Sequence, residues 1–160
     1  MEPGLVLFIS GTILVGIILG VLLTRSGWIA SKVPMESPVQ DIHDLFAPNA
    51  GLSRCSVFRR STLSGGQSII YTVGVDGRSV GATAPGTYVV LDLTAGRHVV
   101  TSTVPGGMDA IDIHLQEGEL VFVEHRLRHG LGLPGVKHIR IDDQEGREIV
   151  SRLRRARVFA

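Results

Sequence analysis

The pattern of apolar and polar residues divides the chain into two unlike parts. Leu5–Leu23 is an almost continuous apolar run, and no residue between Pro3 and Thr24 carries a charge. A helix of that length, rising about 1.5 Å per residue, spans about 28 Å, close to the hydrocarbon thickness of a bilayer. We therefore predict a transmembrane anchor with its flanks over residues 1–30.

A cleaved signal peptide is the alternative interpretation of this run. The residues before it contain no Lys or Arg, and Ala30, as the last residue before a cut, would place bulky Trp28 at the −3 position. These features favour an uncleaved helix. The excess of Lys and Arg after the run places the following domain in the cytoplasm under the positive-inside rule.

Small residues within the anchor predict a possible helix-packing face. Gly16 and Gly20 form a GxxxG pattern, and Gly11 lies nearby. Such residues let two helices approach closely, although glycine is also common in membrane helices in general. Trp28 suits the membrane–water interface.

Residues 31–52 read as a linker, since Pro34, Pro38 and Pro48 interrupt any long element. A short amphipathic helix is predicted over Gln40–Phe46, with Asp41 as its N-cap.

From residue 53 onward the apolar period changes to two, which is typical of β-strands. Short strands separated by turn residues at about ten-residue spacing indicate seven or eight antiparallel strands in a sandwich or small barrel over residues 53–160. The predicted strands are Ser53–Arg60, Ser68–Val75, Arg78–Ala82, Thr87–Leu93, Arg97–Val104, Ala110–Leu115, Leu120–Leu127 and Val136–Ile141. A final helix is predicted over Asp142–Arg155, and the rival interpretation is a hairpin through Gln144–Gly146.

Composition narrows the class of protein only slightly. The 16 Lys and Arg nearly balance the 15 Asp and Glu, so the overall charge does not indicate nucleic acid. Cys55 is the single cysteine, which excludes an intrachain disulfide and a CxxC metal site. On its apolar strand, Cys55 is predicted to be a small core residue.

Several turns and strand starts resemble those of a family of small bacterial β-sandwich domains of unknown function, often lipoproteins, with PEGA-like features. The resemblance rests on Tyr71, Val73, Val75, Asp76-Gly77, Val80-Gly81, Pro85–Tyr88, Leu93, Gly96, His98, Phe58-Arg59, Glu117–Glu119 and Phe122-Val123. It implies a β-sandwich in the cell envelope and supplies no catalytic residues. The lipidated cysteine of many members is absent, and Ala95 stands where the family usually has proline.

Candidate chemistry is sparse. His125 and His129 share a strand face but lack a third metal ligand, and His98 is predicted to pack or to hydrogen-bond. His114 and His138 are predicted to face outward, and Asp109, Asp112, Glu117 and Glu119 to be solvated strand ends. The C-terminal arginines are predicted either to be solvated or to contact lipid or a partner; they are Arg152, Arg154, Arg155 and Arg157.

These features favour a non-catalytic, single-pass protein of the bacterial inner membrane that serves as an accessory or scaffolding subunit of a membrane complex. Its expected partners are the bilayer and other integral membrane subunits, without nucleic acid and without a cofactor. One alternative is an envelope domain that binds a small ligand or glycan. Another is a metal-dependent enzyme that uses His125 and His129.

Overall fold

The computed structural model describes Met35 and residues 42–61, 69–128 and 135–159, and at Ile42 and His43 it describes the backbone alone. The predicted anchor with Gly11, Gly16, Gly20 and Trp28 lies outside the described residues, as do Asp41 and His129. Within the described part of the chain, no helix has the length and apolar character needed to cross a membrane.

The described residues form a mainly β structure of nine strands and two short helices. The strands are β1 (Ser53–Arg59), β2 (Tyr71–Val75), β3 (Arg78–Thr83), β4 (Thr87–Leu93), β5 (Gly96–Val104), β6 (Gly107–Leu115), β7 (Leu120–Arg128), β8 (Gly135–Ile141) and β9 (Arg154–Arg155). The helices are α1 (Ile42–Phe46) and α2 (Asp143–Val150).

The strands build two sheets that pack face to face. One sheet has five strands in the order β8-β7-β1-β4-β9, and the other has four in the order β3-β2-β5-β6. The predicted β-sandwich is thus confirmed in outline. The purely antiparallel arrangement is wrong, because β1 pairs with β7 in parallel and β4 pairs with β9 in parallel.

The space between the sheets holds the main apolar core. Its fully buried residues come from inward-facing positions of both sheets and include Val57, Val73, Val100 and Val123. Cys55 has no exposed surface, as predicted, and burial raises the pKa of its thiol to about 12. The outer face of the five-stranded sheet is covered as well, by α1 and α2 around Phe122. Leu45 of α1 is part of that second cluster.

Helix α2 confirms the prediction of a C-terminal helix and excludes the hairpin. Asp142 is the N-cap, and its side chain accepts a hydrogen bond from the amide of Glu145. Gly146 packs flat on Phe122, since an added Cβ would lie 2.2 Å from the Phe122 ring. Glycine lowers helix propensity here but permits this close approach.

The predicted extent of that helix is wrong at its C-terminal end. The helix ends at Val150, and the chain then extends along the edge of the five-stranded sheet, where Arg154 and Arg155 pair with Thr87 and Tyr88. The basic residues assigned to a helix face therefore lie just after the helix and on an edge strand. Strand pairing with β4 outweighs the helix propensity of arginine at these positions.

Candidate functional site

Five polar side chains form a continuous hydrogen-bonded chain through the sandwich interior, here called the polar relay. It consists of Thr83, His125, Ser102, His138 and Asp109. The Thr83 Oγ1 to His125 Nδ1 distance is 3.0 Å, and Ser102 Oγ lies 2.6 Å from His125 Nε2 and 2.9 Å from His138 Nε2. His138 Nδ1 lies 2.9 Å from Asp109 Oδ2, which also accepts the His138 amide at 2.7 Å.

Strand register assembles the relay from two cross-strand pairs. Ser102 and Asp109 are direct partners on β5 and β6 of the four-stranded sheet. His125 and His138 are direct partners on β7 and β8 of the five-stranded sheet, with their rings 4.9 Å apart at 75°. The two pairs meet across the sandwich, so the relay links the two sheets through side-chain hydrogen bonds.

One order of protons satisfies every member of the relay. The Asp109 carboxylate only accepts, so His138 donates through Nδ1–H and its Nε2 accepts the Ser102 hydroxyl proton. The Ser102 oxygen then accepts His125 Nε2–H, and His125 Nδ1 accepts the hydroxyl proton of Thr83. Both imidazoles are neutral in this arrangement.

Burial and charge both favour the neutral imidazoles. Thr83 and Ser102 have no exposed surface, and His125 and His138 retain only 2% and 7% of theirs. Burial lowers the pKa of His125 well below its usual value, and His138 and Arg59 lower it further. Burial also lowers the pKa of His138 despite the opposing hydrogen bond to Asp109. Burial opposes ionisation of Asp109, but its bonds from His138 hold the pKa of that carboxyl below the usual value.

A cation and an aromatic ring lie beside the relay at the same end of the sandwich. The Arg59 guanidinium lies 4.3 Å from the centre of the Tyr71 ring and donates to the Ile69 carbonyl at 2.6 Å. The Tyr71 ring lies 5.6 Å from the His125 ring. A fixed positive charge at this position disfavours a second one on His125.

Three members of the relay repeat the contacts of a catalytic triad. In serine hydrolases a hydroxyl donates to an imidazole whose other nitrogen donates to a carboxylate, as Ser102, His138 and Asp109 do here. Two features differ. The Ser102 oxygen also accepts a hydrogen bond from His125, which engages one of its two lone pairs, and Ser102 has no exposed surface. In this conformation the hydroxyl holds the two sheets together and is not presented to a substrate.

A second histidine site, here called the His98 clamp, lies near the β2–β3 turn. His98 Nδ1 is 2.7 Å from Asp76 Oδ2 and His98 Nε2 is 2.9 Å from the Thr94 carbonyl oxygen. Asp76 Oδ1 accepts the Val99 amide, and Asp76 itself has a φ of 50°, which Asp tolerates better than most residues. The Asp76-Gly77 and Gly96-x-His98 motifs are thus joined by hydrogen bonds that hold the β2–β3 turn against the start of β5.

The structure separates several residues that the sequence grouped. His125 is in the relay, while His129 lies outside the described residues. The prediction that His138 faces outward is wrong, and Asp109, predicted to be a solvated strand end, is half-buried near the start of β6 and hydrogen-bonded to His138. His114 is exposed, as predicted, and Asp112 is solvated but paired with Arg97. Among the described residues no group of three or more His, Cys, Asp or Glu is arranged to hold a metal ion.

The C-terminal arginines have unequal environments. Arg152, Arg154 and Arg157 are exposed, and Arg155 is half-buried. Arg152 is paired with Glu148 at 2.8 Å within one helical turn. Arg154 and Arg155 lie on β9, at the edge of the five-stranded sheet opposite β8 and His138.

Comparison with known proteins gives one distant similarity. A protein of Haemophilus influenzae, named only as an uncharacterized protein, is 23% identical over 141 residues, which cover 87% of this chain and 82% of the relative. No protein-family model matches the chain. The similarity is consistent with a bacterial protein, and the finer resemblance to lipoprotein-type and PEGA domains stays a prediction.

Proposed function

We propose that the protein is a membrane-tethered, non-catalytic β-sandwich that serves as an accessory or scaffolding subunit of a membrane protein complex in the bacterial inner membrane. The observation that carries the proposal is the bridge between Met35 and Ala156. Met35 follows the predicted anchor closely in sequence. Its pairing with the C-terminal strand region fastens the chain to one defined edge of the sandwich, so that the domain would be presented to partners in a fixed orientation.

The use of the acidic and basic groups supports a binding role over catalysis. In the relay, the serine, the histidines and the aspartate hydrogen-bond to one another and join the two sheets. In the clamp, His98 and Asp76 stabilise a turn. The buried carboxylate of Glu124 is neutralised by Arg60 and Arg126, at 2.9 Å and 2.8 Å. Side chains of the types that act in catalysis are therefore engaged here in stabilising the fold.

The edge opposite the Met35 bridge offers a surface for a protein partner. Strand β6 is an end strand of the four-stranded sheet, and Met108 on it is 68% exposed. An end strand presents free backbone groups to which another chain can add a strand, and an exposed methionine adapts to many apolar surfaces. We place the partner contact at this edge.

The side of the membrane on which the domain lies has two opposed indications. The Lys and Arg residues after the anchor favour the cytoplasm, whereas the resemblance to exported domains favours the periplasm. The accessory role is compatible with either side. A cysteine-accessibility or reporter-fusion measurement on the full chain decides between them.

The test of the proposed function is photo-crosslinking in native membranes. A photoreactive residue at Met108 of the full chain is expected to give a discrete protein adduct that mass spectrometry identifies. The matched control places the same residue at Glu117, an exposed turn position, where no discrete adduct is expected. The proposal would be overturned if neither position gave an adduct in native membranes and extraction in mild detergent yielded only the monomer.

A further inference from the structure

The chain end beyond α2 presents a basic and aromatic surface, here called the tail edge and formed by Arg154, Arg157 and Phe159. Ala156 and Val158 pack into the main core. By alternation, Arg154 lies on their side of the extended segment, whereas Arg157 and Phe159 project from the other side. Phe159 is 45% exposed. The surface is held rigidly, because Ala156 donates to the Tyr88 carbonyl and Phe159 to the Val80 carbonyl, at 2.7 Å and 2.8 Å.

The backbone places this surface beside the point where the chain arrives from the predicted anchor. Met35 pairs with Ala156, which directly precedes Arg157. The segment from Leu23 to Met35 spans at most about 40 Å when fully extended. An anchored domain is therefore confined near the bilayer surface with this edge next to its attachment.

We propose that the tail edge binds the headgroups of anionic phospholipids, with Arg154 and Arg157 at the phosphates and Phe159 at the interface. The inference rests on the proposed anchor and adds the identity of the surface that the domain lays on the membrane. Arg157 and Phe159 on one side of the segment and Arg154 on the other put cationic and aromatic side chains at one edge of the sandwich. This set matches an interface that is anionic outside and apolar beneath.

Several other arginines of the domain are engaged in ion pairs. Arg60, Arg97, Arg126, Arg140 and Arg147 are each paired with a carboxylate. Arg152 is likewise paired with Glu148. The tail edge differs from the exposed Arg128 and Lys137 in that its arginines lie beside an exposed aromatic ring at the attachment point, a combination that favours a lipid surface.

The experiment measures the depth of residue 159 in a bilayer. Because Cys55 is fully buried, a Phe159→Cys variant of the full chain offers one accessible thiol for an environment-sensitive fluorophore. The protein is reconstituted in vesicles of phosphatidylcholine alone or mixed with phosphatidylglycerol, both containing brominated lipid as a quencher. We expect several-fold stronger quenching in the anionic vesicles, and loss of that difference at high salt.

A matched pair of charge variants completes the test. Arg154→Gln with Arg157→Gln is expected to abolish the anionic-lipid difference. Arg128→Gln with Lys137→Gln, which removes the same charge from exposed positions at the opposite sheet edge, is expected to leave it unchanged. Equal quenching in both vesicle types, or equal loss in both variant pairs, would overturn the inference.

Alkaline extraction of the same vesicles separates the two proposals. Protein that stays in the membrane but shows no preference for anionic lipid contradicts only the tail-edge inference. Protein that is released by alkali contradicts the anchor, and with it the inference that rests on the anchor. Thermal unfolding of each variant, expected to match that of the parent, confirms that the substitutions leave the fold intact.

Discussion

The relay and the His98 clamp show how the same residue pair can carry opposite charge states. In each, a histidine nitrogen lies within hydrogen-bond distance of an aspartate on a neighbouring segment, at 2.9 Å in the relay and 2.7 Å in the clamp. The second ring nitrogen makes the difference. In the clamp it faces the Thr94 carbonyl, which only accepts, whereas in the relay it faces the Ser102 hydroxyl, which can donate.

Those second partners decide the protonation of each ring. Both nitrogens of His98 must donate, so the ring is an imidazolium, and the hydrogen bond to Asp76 raises the pKa of His98 above its usual value. His138 can satisfy both nitrogens while neutral, and burial lowers its pKa. A nearby carboxylate is therefore a poor guide to the charge of a histidine unless the other contact and the burial are known.

The largest expected effect is the loss of the Ser102 hydroxyl. Ser102→Ala leaves His125 Nε2–H and His138 Nε2 buried without a partner, which we expect to lower the free energy of unfolding by about 2–5 kcal/mol. The measurement is denaturant unfolding of the full chain in detergent micelles, with and without the substitution.

Ser56 supplies the matched control for that experiment. Ser56 is also fully buried, and its hydroxyl has no hydrogen-bond partner among the described residues. Ser56→Ala removes the same atom without orphaning a neighbour, so we expect a change within about 0.5 kcal/mol of zero. Equal costs for the two substitutions would mean that the relay does not stabilise the fold.

The next effect is a pH dependence of opposite sign at the two sites. Because the folded pKa values of His125 and His138 lie below that of an unfolded histidine, about 6.5, the unfolded chain binds more protons and the relay's contribution falls as the pH drops below that value. Because the folded pKa of His98 is raised, the clamp's contribution is fully present below about pH 6.5 and falls as the pH rises through the folded pKa.

Two histidine variants separate these slopes. His138→Gln is expected to cost most near pH 8 and less near pH 5, while His98→Gln is expected to cost most near pH 5 and less near pH 8. Unfolding free energies across this range check both expectations. Parallel pH profiles for the two variants would contradict the assignment of a neutral relay and a charged clamp.

The strands could be predicted from sequence because they are short apolar or alternating runs bounded by turn residues. Thr87–Leu93 has the same bounds in prediction and structure. The parallel pairings could not be predicted, because they join β1 to β7 and β4 to β9 across long stretches of chain. Periodicity identifies a strand but carries no information on which strand lies beside it.

The alternation of apolar and polar positions contained a signal for two members of the relay. Ser102 stands between inward Val100 and Val104, and His125 follows inward Val121 and Val123, so each occupies a column of apolar positions. In strand β8 the same pattern does not identify His138, because buried apolar residues lie on both faces of that strand. Val136 and Ile141 are both buried yet point to opposite faces, and alternation there did not distinguish the inner face on which His138 lies.

A smaller effect is expected from removing the charge of the clamp. Asp76→Asn keeps an oxygen for the Val99 amide and tolerates the positive φ, but it no longer favours the imidazolium of His98. Because Asp76 is half exposed, we expect a loss of less than about 1 kcal/mol at neutral pH. The His98 pKa, followed by NMR titration, is expected to fall toward the usual value, and an unchanged pKa would contradict the clamp.

The smallest effect is expected where the relay resembles a catalytic triad. A fluorophosphonate labels a serine whose oxygen is exposed and free to attack, whereas the Ser102 oxygen is buried and accepts a hydrogen bond from His125. We expect no labelling of the native full chain, measured by mass spectrometry of the Ser102 peptide. His125→Phe removes the hydrogen bond that this oxygen accepts, and serves as the comparison. Labelling of the native chain that disappears in His138→Gln would show that the sandwich opens to expose a working nucleophile, and the non-catalytic proposal would then be wrong.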